Sequence, residues 1–453
     1  MGKLFGTDGI RGLANVYPMD SETMMMLGRA AACVFRRSGG RHRILIGKDT
    51  RLSGYMLETA LASGIVSMGV DVLLVGPMPT PGIAFMTRSM RADAGVVISA
   101  SHNNYVDNGI KFFGPDGFKL ADETESEMER LLGPGHMNEL RACPDLIGKA
   151  YRIDDAIGRY TVFLKSCIER NTKLDGLKLV IDAANGAAYR VAPLVFSELG
   201  AEVIMVGDDP NGTNINEGCG STHPERMCEL VREHNAFCGI AYDGDADRVI
   251  FCDENGQVVD GDAMLAALAV DFQERGILGG SSVVATVMSN IGLDIALKER
   301  GIGLVRAAVG DRYVLAQMLA MGAKLGGEQS GHMIALDYNT TGDGILTSLL
   351  LLAALIRKNY PVSYCRTIFQ SFPQLLVNVP VPTKPPIEQL KSVIQCVSEC
   401  EQELGERGRV LVRYSGTESK LRVMVESETD DTCRQMVDRI VSAVCKDLGV
   451  ESL

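Results

Sequence analysis

The chain is short of positive charge. Lys and Arg total 45 against 57 Asp and Glu, giving a formal net charge of −12. A nucleic-acid binder neutralises phosphates with a basic face, so this deficit argues against one. Any anionic ligand must be held by local cations, backbone amides or a metal ion. None of the 12 cysteines forms a C-x-x-C pair. That fits a reducing compartment and supplies neither a disulfide scaffold nor a zinc site. Cys396 and Cys400, a helical turn apart in a charged stretch, read as surface residues. Residues Met1–Gly12 lack an apolar signal region, and Gly6 stands where a myristoylation signal needs Ser or Thr. The longest apolar run, Ile345–Ile356, is shorter than the ~20 residues of a membrane span. The expectation is a soluble, cytoplasmic protein with neither membrane nor nucleic acid among its partners. No Walker P-loop, G-x-G-x-x-G or G-x-S-x-G is present, which excludes two common nucleotide cradles and a lipase-type nucleophile.

What is present is a repeat. The 453 residues suggest three domains and a small fourth at ~150 residues each, and 46% apolar with 23% charged residues is an ordinary globular balance. One segment runs Arg43–Gly47, Gly69–Gly76, Ala94–Ile98; a second Lys178–Asp182, Gly200–Gly207, Phe237–Tyr242; a third Ser282–Thr286, Gly301–Arg306, Ala323–Leu325. Short apolar runs separated by helix-length stretches predict strand–helix–strand units in mixed, largely parallel sheets. A Pro-rich stretch from Phe372 to Pro386 then separates a tail with helix Ile387–Leu404, strand Arg409–Arg413, strand Leu421–Val425 and helix Asp431–Leu448, a two-layer α+β domain.

Each repeat ends in a polar loop at a carboxyl strand end, where α/β sheets bind ligands. These are Ser99-Ala-Ser-His-Asn103, Asp243-Gly-Asp-Ala-Asp-Arg248 and Gly326-Gly-Glu-Gln-Ser-Gly-His332. Asp243, Asp245 and Asp247 alternate with small residues, an oxygen-only set that suits Mg²⁺. An EF-hand reading founders on Arg248, which stands where that loop needs glycine, and on flanking strands. A solvated acidic loop is the plain alternative, but three crowded like charges call for a cation. Ser101 is a weak nucleophile unless a base or metal assists it, and it could instead cap a helix. His102 and His332 gain interest only from their loops. In the tail, Arg413, Ser415, Gly416, Thr417 and Arg422 surround a tight turn, either a phosphate-sized anion pocket or an ordinary hairpin end.

Five ordered motifs, Phe5-Gly-Thr-Asp-Gly-Ile-Arg-Gly12, Ser99–Asn103, Asp243–Arg248, Gly327-Glu-Gln-Ser-Gly-His332 and Ser415-Gly-Thr-Glu418, together resemble the α-D-phosphohexomutase superfamily over essentially the whole chain. The resemblance implies an α/β fold of three α/β/α domains (1–150, 151–255, 256–370) and a C-terminal α+β domain (371–453) around a central cleft. It implies an intramolecular phosphotransferase acting on a hexosamine phosphate through a 1,6-bisphosphate, feeding UDP-N-acetylglucosamine synthesis, with a homodimer left open. Ser101 would be the phosphoserine, binding Mg²⁺ with Asp243, Asp245 and Asp247. Arg11, His102, Lys111, Arg248 and His332 would line the reaction centre. Glu328 and Ser330 would contact sugar hydroxyls, while Arg413, Ser415, Gly416, Thr417 and Arg422 would hold the non-reacting phosphate. Lys111 or His332 is the expected base, Lys111 only if burial among cations lowers its pKa. Phosphoserine at about −2 and three aspartates are met by Mg²⁺ and the cations Arg11, Lys111 and Arg248. Asn104 replaces the family's usual proline, which predicts a less rigid loop, and Tyr414 with Ser419-Lys420 alters the flanks of the phosphate turn. A mutase of glucose or mannose phosphates, a phosphatase and a non-catalytic sugar-phosphate sensor remain the rivals.

Overall fold

Runs such as Ala94–Ile98 and Cys238–Tyr242 are buried at every position, as strands covered by helices on both faces must be. In the computed structural model, which describes residues 4–6, 8–36, 40–133, 137–415 and 419–450, the chain divides into two units. One comprises Met1–Met288 with Leu304–Thr367, the other Ser289–Gly303 with Ile368–Leu453.

The first unit carries the three repeats, apart from Ser289–Gly303 of the third, as three sheets. Strands β1 (Ile10–Leu13), β2 (Arg43–Lys48), β3 (Asp71–Pro77), β4 (Ala94–Ile98), β5 (Asp107–Phe113) and β6 (Ala150–Arg152) lie in the order β1-β5-β4-β2-β3-β6. Strands β7 (Lys178–Asp182), β8 (Glu202–Val206), β9 (Cys238–Tyr242), β10 (Val249–Cys252) and β11 (Val258–Val259) lie in the order β11-β10-β9-β7-β8. Strands β12 (Ser282–Thr286), β13 (Gly303–Ala307), β14 (Leu325–Gly327) and β15 (Met333–Ala335) lie in the order β13-β12-β14-β15. Parallel pairing of β4, β2 and β3 requires crossovers, which helices Ser53–Val66 and Thr80–Ser89 provide. Ile44, Ile46, Val96 and Ile98 pack there with Leu57 and Leu61.

The mixed character has a consistent location. β4 pairs antiparallel with β5, β9 with β10 and β14 with β15. Each of the three polar loops is therefore the connection of an antiparallel pair, anchored at both ends in a sheet. The loops also meet: Arg248 bridges His332, and the Val249 amide donates to Gly331 O at 3.1 Å. Gly331, at φ +91°, leaves no room for a Cβ against Val249 O, so that approach needs glycine.

The Leu-rich run Ile345–Ile356 lies in a core helix, Gly344–Lys358, buried through its first twelve residues. Among the described residues no helix is long and apolar enough to cross a membrane. Its N-cap Asp343 accepts from the Leu346 amide at 2.9 Å and from the Tyr160 hydroxyl at 2.7 Å. The Gly344 amide donates to Ala246 O at 3.0 Å, so this helix start supports the acidic loop.

The second unit has strands β16 (Gln374–Pro380), β17 (Arg409–Tyr414) and β18 (Lys420–Glu426) in the antiparallel order β16-β18-β17. Helices Lys391–Leu404 and Asp430–Leu448 share its core. Two readings are corrected here. The Pro-rich stretch contains β16, because its prolines flank or end an edge strand, where a missing N–H is tolerated. Cys400 is fully buried and Cys396 half-buried, because both pack into the core under the helices rather than facing solvent.

Asp343→Ala removes a helix cap and leaves the buried Tyr160 hydroxyl without its acceptor. It should cost about 2–4 kcal/mol, read as a lower urea midpoint by circular dichroism.

Candidate active site and metal centre

Left-handed residues aim the side chains. Ser101 has φ +54° and Ala246 φ +56°, so each loop turns sharply instead of continuing as a strand. Ser101 Oγ donates to Asp243 Oδ2 at 2.5 Å. Carboxylate oxygens of Asp243, Asp245 and Asp247 lie within 4.8 Å of one another, all three residues buried. Asp245 Oδ1 and Asp247 Oδ1 are buried without a hydrogen-bond partner. Buried orphan oxygens, converging and without nitrogen or sulfur donors, fit a hard divalent cation. The site's chemistry agrees with the reading of these aspartates as a metal site and not as a solvated loop.

The other side chains determine how so much negative charge is held. Lys111, 3% exposed on β5, stands 3.2 Å from Asp245 Oδ2, 3.2 Å from Asp8 Oδ2 and 3.5 Å from Asp247 Oδ2. Burial disfavours its charge, but Asp245, Asp8 and Asp247 outweigh that and hold its pKa well above the lysine range. The condition for Lys111 as a base therefore fails: its neighbours are chiefly anions, and the ammonium stays protonated. Burial, then Asp247 and Asp245, push the Asp243 carboxyl well above its usual range. Burial and Asp245 raise Asp247. Burial would raise Asp245 too, but Lys111 and the Thr80 hydroxyl, donating at 2.7 Å, hold it low.

A chain of alternating charge extends outward. Arg11 and Lys119 both pair with Asp8, and Lys119 also pairs with Asp311. Asp311 Oδ2 lies 3.6 Å from His332 Nε2. Burial opposes the Asp311 charge, yet Lys119 and His332 lower its carboxyl to about 2. His102 Nδ1 sits 3.4 Å from Ser101 Oγ and 3.2 Å from Arg248 Nη1. Burial and then Arg248 push this imidazole down to about 4. The Arg248 amide donates to Asp243 Oδ1 at 3.2 Å. Glu328 accepts from the Gly310 amide at 3.0 Å and from Ser330 Oγ at 3.2 Å, leaving Ser330 exposed.

The first unit thus gathers Ser101, His102, Lys111, the aspartates, Arg248 and His332, with Arg11 joined through Asp8. In the second unit Arg413 and Arg422 stand directly opposite in the β17/β18 register, and Ser415 follows β17. Like charges opposite each other disfavour a strand pair, so this pair suits an anion. Gly416 and Thr417 lie outside the described residues. Asn104 helps close its own loop, its carbonyl accepting from the Asp107 amide at 3.2 Å. Nothing in the sequence gives Thr80, Lys119 or Asp8 its part in this site. For Asp311 the available signal is Gly310-Asp311-Arg312, just beyond β13, another polar turn at a carboxyl strand end.

Four consecutive segments match the phosphoglucomutase/phosphomannomutase family: residues 2–135 its alpha/beta/alpha domain I, 158–256 domain II, 260–372 domain III and 376–443 the C-terminal domain. The chain belongs to this family of phosphohexomutases. Its particular likeness is to phosphoglucosamine mutases. It is 58% identical over 452 residues to that of Citrifermentans bemidjiense, covering 100% of both chains. It is 56% identical over 451 residues to that of Syntrophotalea carbinolica, covering 99% of each. The fold matches a phosphoglucomutase/phosphomannomutase family protein of Burkholderia thailandensis at TM-score 0.82 and 24% identity, over 98% of this chain and 97% of that one. It also matches Aspergillus fumigatus N-acetylphosphoglucosamine mutase, solved with GlcNAc-6P and magnesium, at TM-score 0.65 and 17% identity over 98% and 96%.

Two outcomes follow from the electrostatics. A divalent cation at a hundred times its Kd should stabilise the protein by about 2.7 kcal/mol. Calorimetry should find that shift lost in Asp245→Ala. Asp311 has a lowered folded-state pKa, so its contribution is complete above its ordinary 3.8 and lost as pH falls through about 2. Asp311→Asn should therefore cost on the order of 2 kcal/mol at pH 5, a gap that closes as urea midpoints are followed down towards pH 2.

Proposed function

We propose that the chain interconverts glucosamine 6-phosphate and glucosamine 1-phosphate through phosphorylated Ser101 and glucosamine 1,6-bisphosphate. The carrying observation is the 2.5 Å contact of the Ser101 hydroxyl with Asp243 inside the buried acidic triad, in a chain that full-length phosphoglucosamine mutases match at 56–58% identity. A sensor that only binds sugar phosphates has no need of a buried hydroxyl set against three carboxylates.

In the first half-reaction the anomeric hydroxyl of glucosamine 6-phosphate attacks phosphorus, its new O–P bond forming as the bond to Ser101 Oγ breaks. The bisphosphate then turns end for end. In the second half-reaction Ser101 Oγ attacks the 6-phosphate and glucosamine 1-phosphate leaves. Such transfers need positioning and charge stabilisation more than covalent machinery. Asp243, Asp245, Asp247 and the Ser101 phosphate would hold Mg²⁺, which when bound draws charge from the transferring phosphoryl oxygens. Lys111 acts as a fixed positive charge. Arg248 and Arg11 offset the phosphate's remaining charge. His332, held against Asp311, takes the acceptor hydroxyl's proton, and His102, kept neutral by its surroundings, stays beside Ser101 without adding charge.

Glu328 and Ser330 contact the sugar hydroxyls. Arg413, Ser415 and Arg422, with Gly416 and Thr417, take the phosphate that is not reacting. The domain limits near residues 150, 255 and 370 and a cytoplasmic location belong to the same reading.

Ser101→Ala should abolish turnover, and isotope from labelled bisphosphate should appear on Ser101 of the unaltered protein and nowhere in the variant. Residual mutase activity in Ser101→Ala would sink the phosphoserine assignment. Comparable kcat/KM on glucose or mannose 6-phosphate would sink the hexosamine preference.

A further inference from the structure

Ser101 occupies a backbone conformation that residues with a Cβ disfavour, φ +54°. Something must hold it there, and two amino groups do. Arg51 Nη2 donates to Ser101 O at 3.1 Å and to Asn103 O at 2.5 Å. Asn216 Nδ2 donates to the same two oxygens, at 2.9 Å each. Each nitrogen carries two hydrogens and each carbonyl two lone pairs, so four hydrogen bonds exhaust both sides of this clamp.

The two donors come from different repeats. Arg51, fully buried and paired with Asp49, belongs to the first repeat, as Ser101 does. Asn216 belongs to the second, which carries Asp243–Asp247, and its own φ of +60° is fastened by its amide donating to Ala184 O at 2.9 Å. The acidic loop is shaped around the clamp: a Cβ on Gly244 would lie 2.6 Å from Ser101 O and 2.9 Å from Asn216 Nδ2.

We propose that Asn216 is a positioning residue for phosphoryl transfer, tying the Ser101 loop to the metal-binding repeat so that Ser101 Oγ keeps its register with Asp243. This rests on the mutase reading for its reaction, while the geometry concerns only the nucleophile loop. Arg51 keeps the loop folded when Asn216 is changed, but the Ser101 and Asn103 carbonyls then lose the hydrogen bonds that reach them from the second repeat. The loss falls on the rate of transfer and not on binding of the sugar phosphate.

The test uses the full-length enzyme and two variants. Asn216→Gly keeps the left-handed backbone and removes only the amide. Asn216→Asp keeps the shape and turns an oxygen towards two carbonyl oxygens. Single-turnover transfer from labelled Ser101 phosphate and kcat should fall by roughly 10²-fold in both, with KM within about twofold and the enzyme still cooperatively folded at the assay temperature. Transfer at the unaltered rate in Asn216→Gly overturns the proposal. So does a loss matched by a falling thermal midpoint and rising KM, which would mark a folding role. The measurements are made on whichever hexose 6-phosphate the unaltered enzyme isomerises. A failure on glucosamine 6-phosphate then removes the substrate reading and leaves the clamp on trial.

Discussion

Everything in the first unit answers to one constraint: a buried hydroxyl sits 2.5 Å from a carboxylate that two further carboxylates crowd. Charges of one sign in a buried site repel strongly because little water screens them. The protein spreads the burden over its surroundings. Lys111 touches Asp8, Asp245 and Asp247. Asp8 touches Arg11 and Lys119, and Lys119 touches Asp311. Sign alternates from link to link, so no member of the chain is buried beside its own kind alone. A lysine embedded this way has lost its chemistry as a base and kept its charge, which is what a phosphoryl group needs near it.

The parts of this site that were legible in the sequence are those that travel together along the chain. Ser101 with His102, the alternating aspartates and His332 with Glu328 each fall within one short loop, so a contiguous motif exposes them. Asp311 and Asn216 have no such advantage. Lys119 and Asp311 are 192 residues apart, Asn216 and Ser101 115 apart; a polar turn beyond β13 hints at Asp311 alone, and nothing local shows which residue either pairs with. The protonation of Lys111 was illegible for the same reason: its nearest anions come from residues 8, 245 and 247.

The fold shows the same division. Strand runs and crossover helices have local periodicity and were readable. That the loops join antiparallel pairs was not, because direction depends on where the chain returns. β16 was hidden because its prolines signal a linker, whereas an edge strand accommodates them at its ends. Charged neighbours on a helix describe one face of it, and Cys400 lies on the other, in the core.

The hairpin placement explains how one architecture presents three different polar loops. A loop between antiparallel strands has both ends fixed by ladder hydrogen bonds, so a strained residue at its tip is over-determined by its supports. Ser101 at φ +54°, Ala246 at +56° and Gly331 at +91° occupy such tips. In a helical crossover loop, only one end would be held by the neighbouring strand and the tip could relax. Here the sheets hold it rigid, and the side chains on either side of each left-handed residue keep a fixed direction. The serine loop, the acidic triad and the histidine loop differ in sequence and share this geometry. Repetition of the frame, with substitution confined to a few tip residues, is sufficient to assemble a site that none of the repeats contains alone.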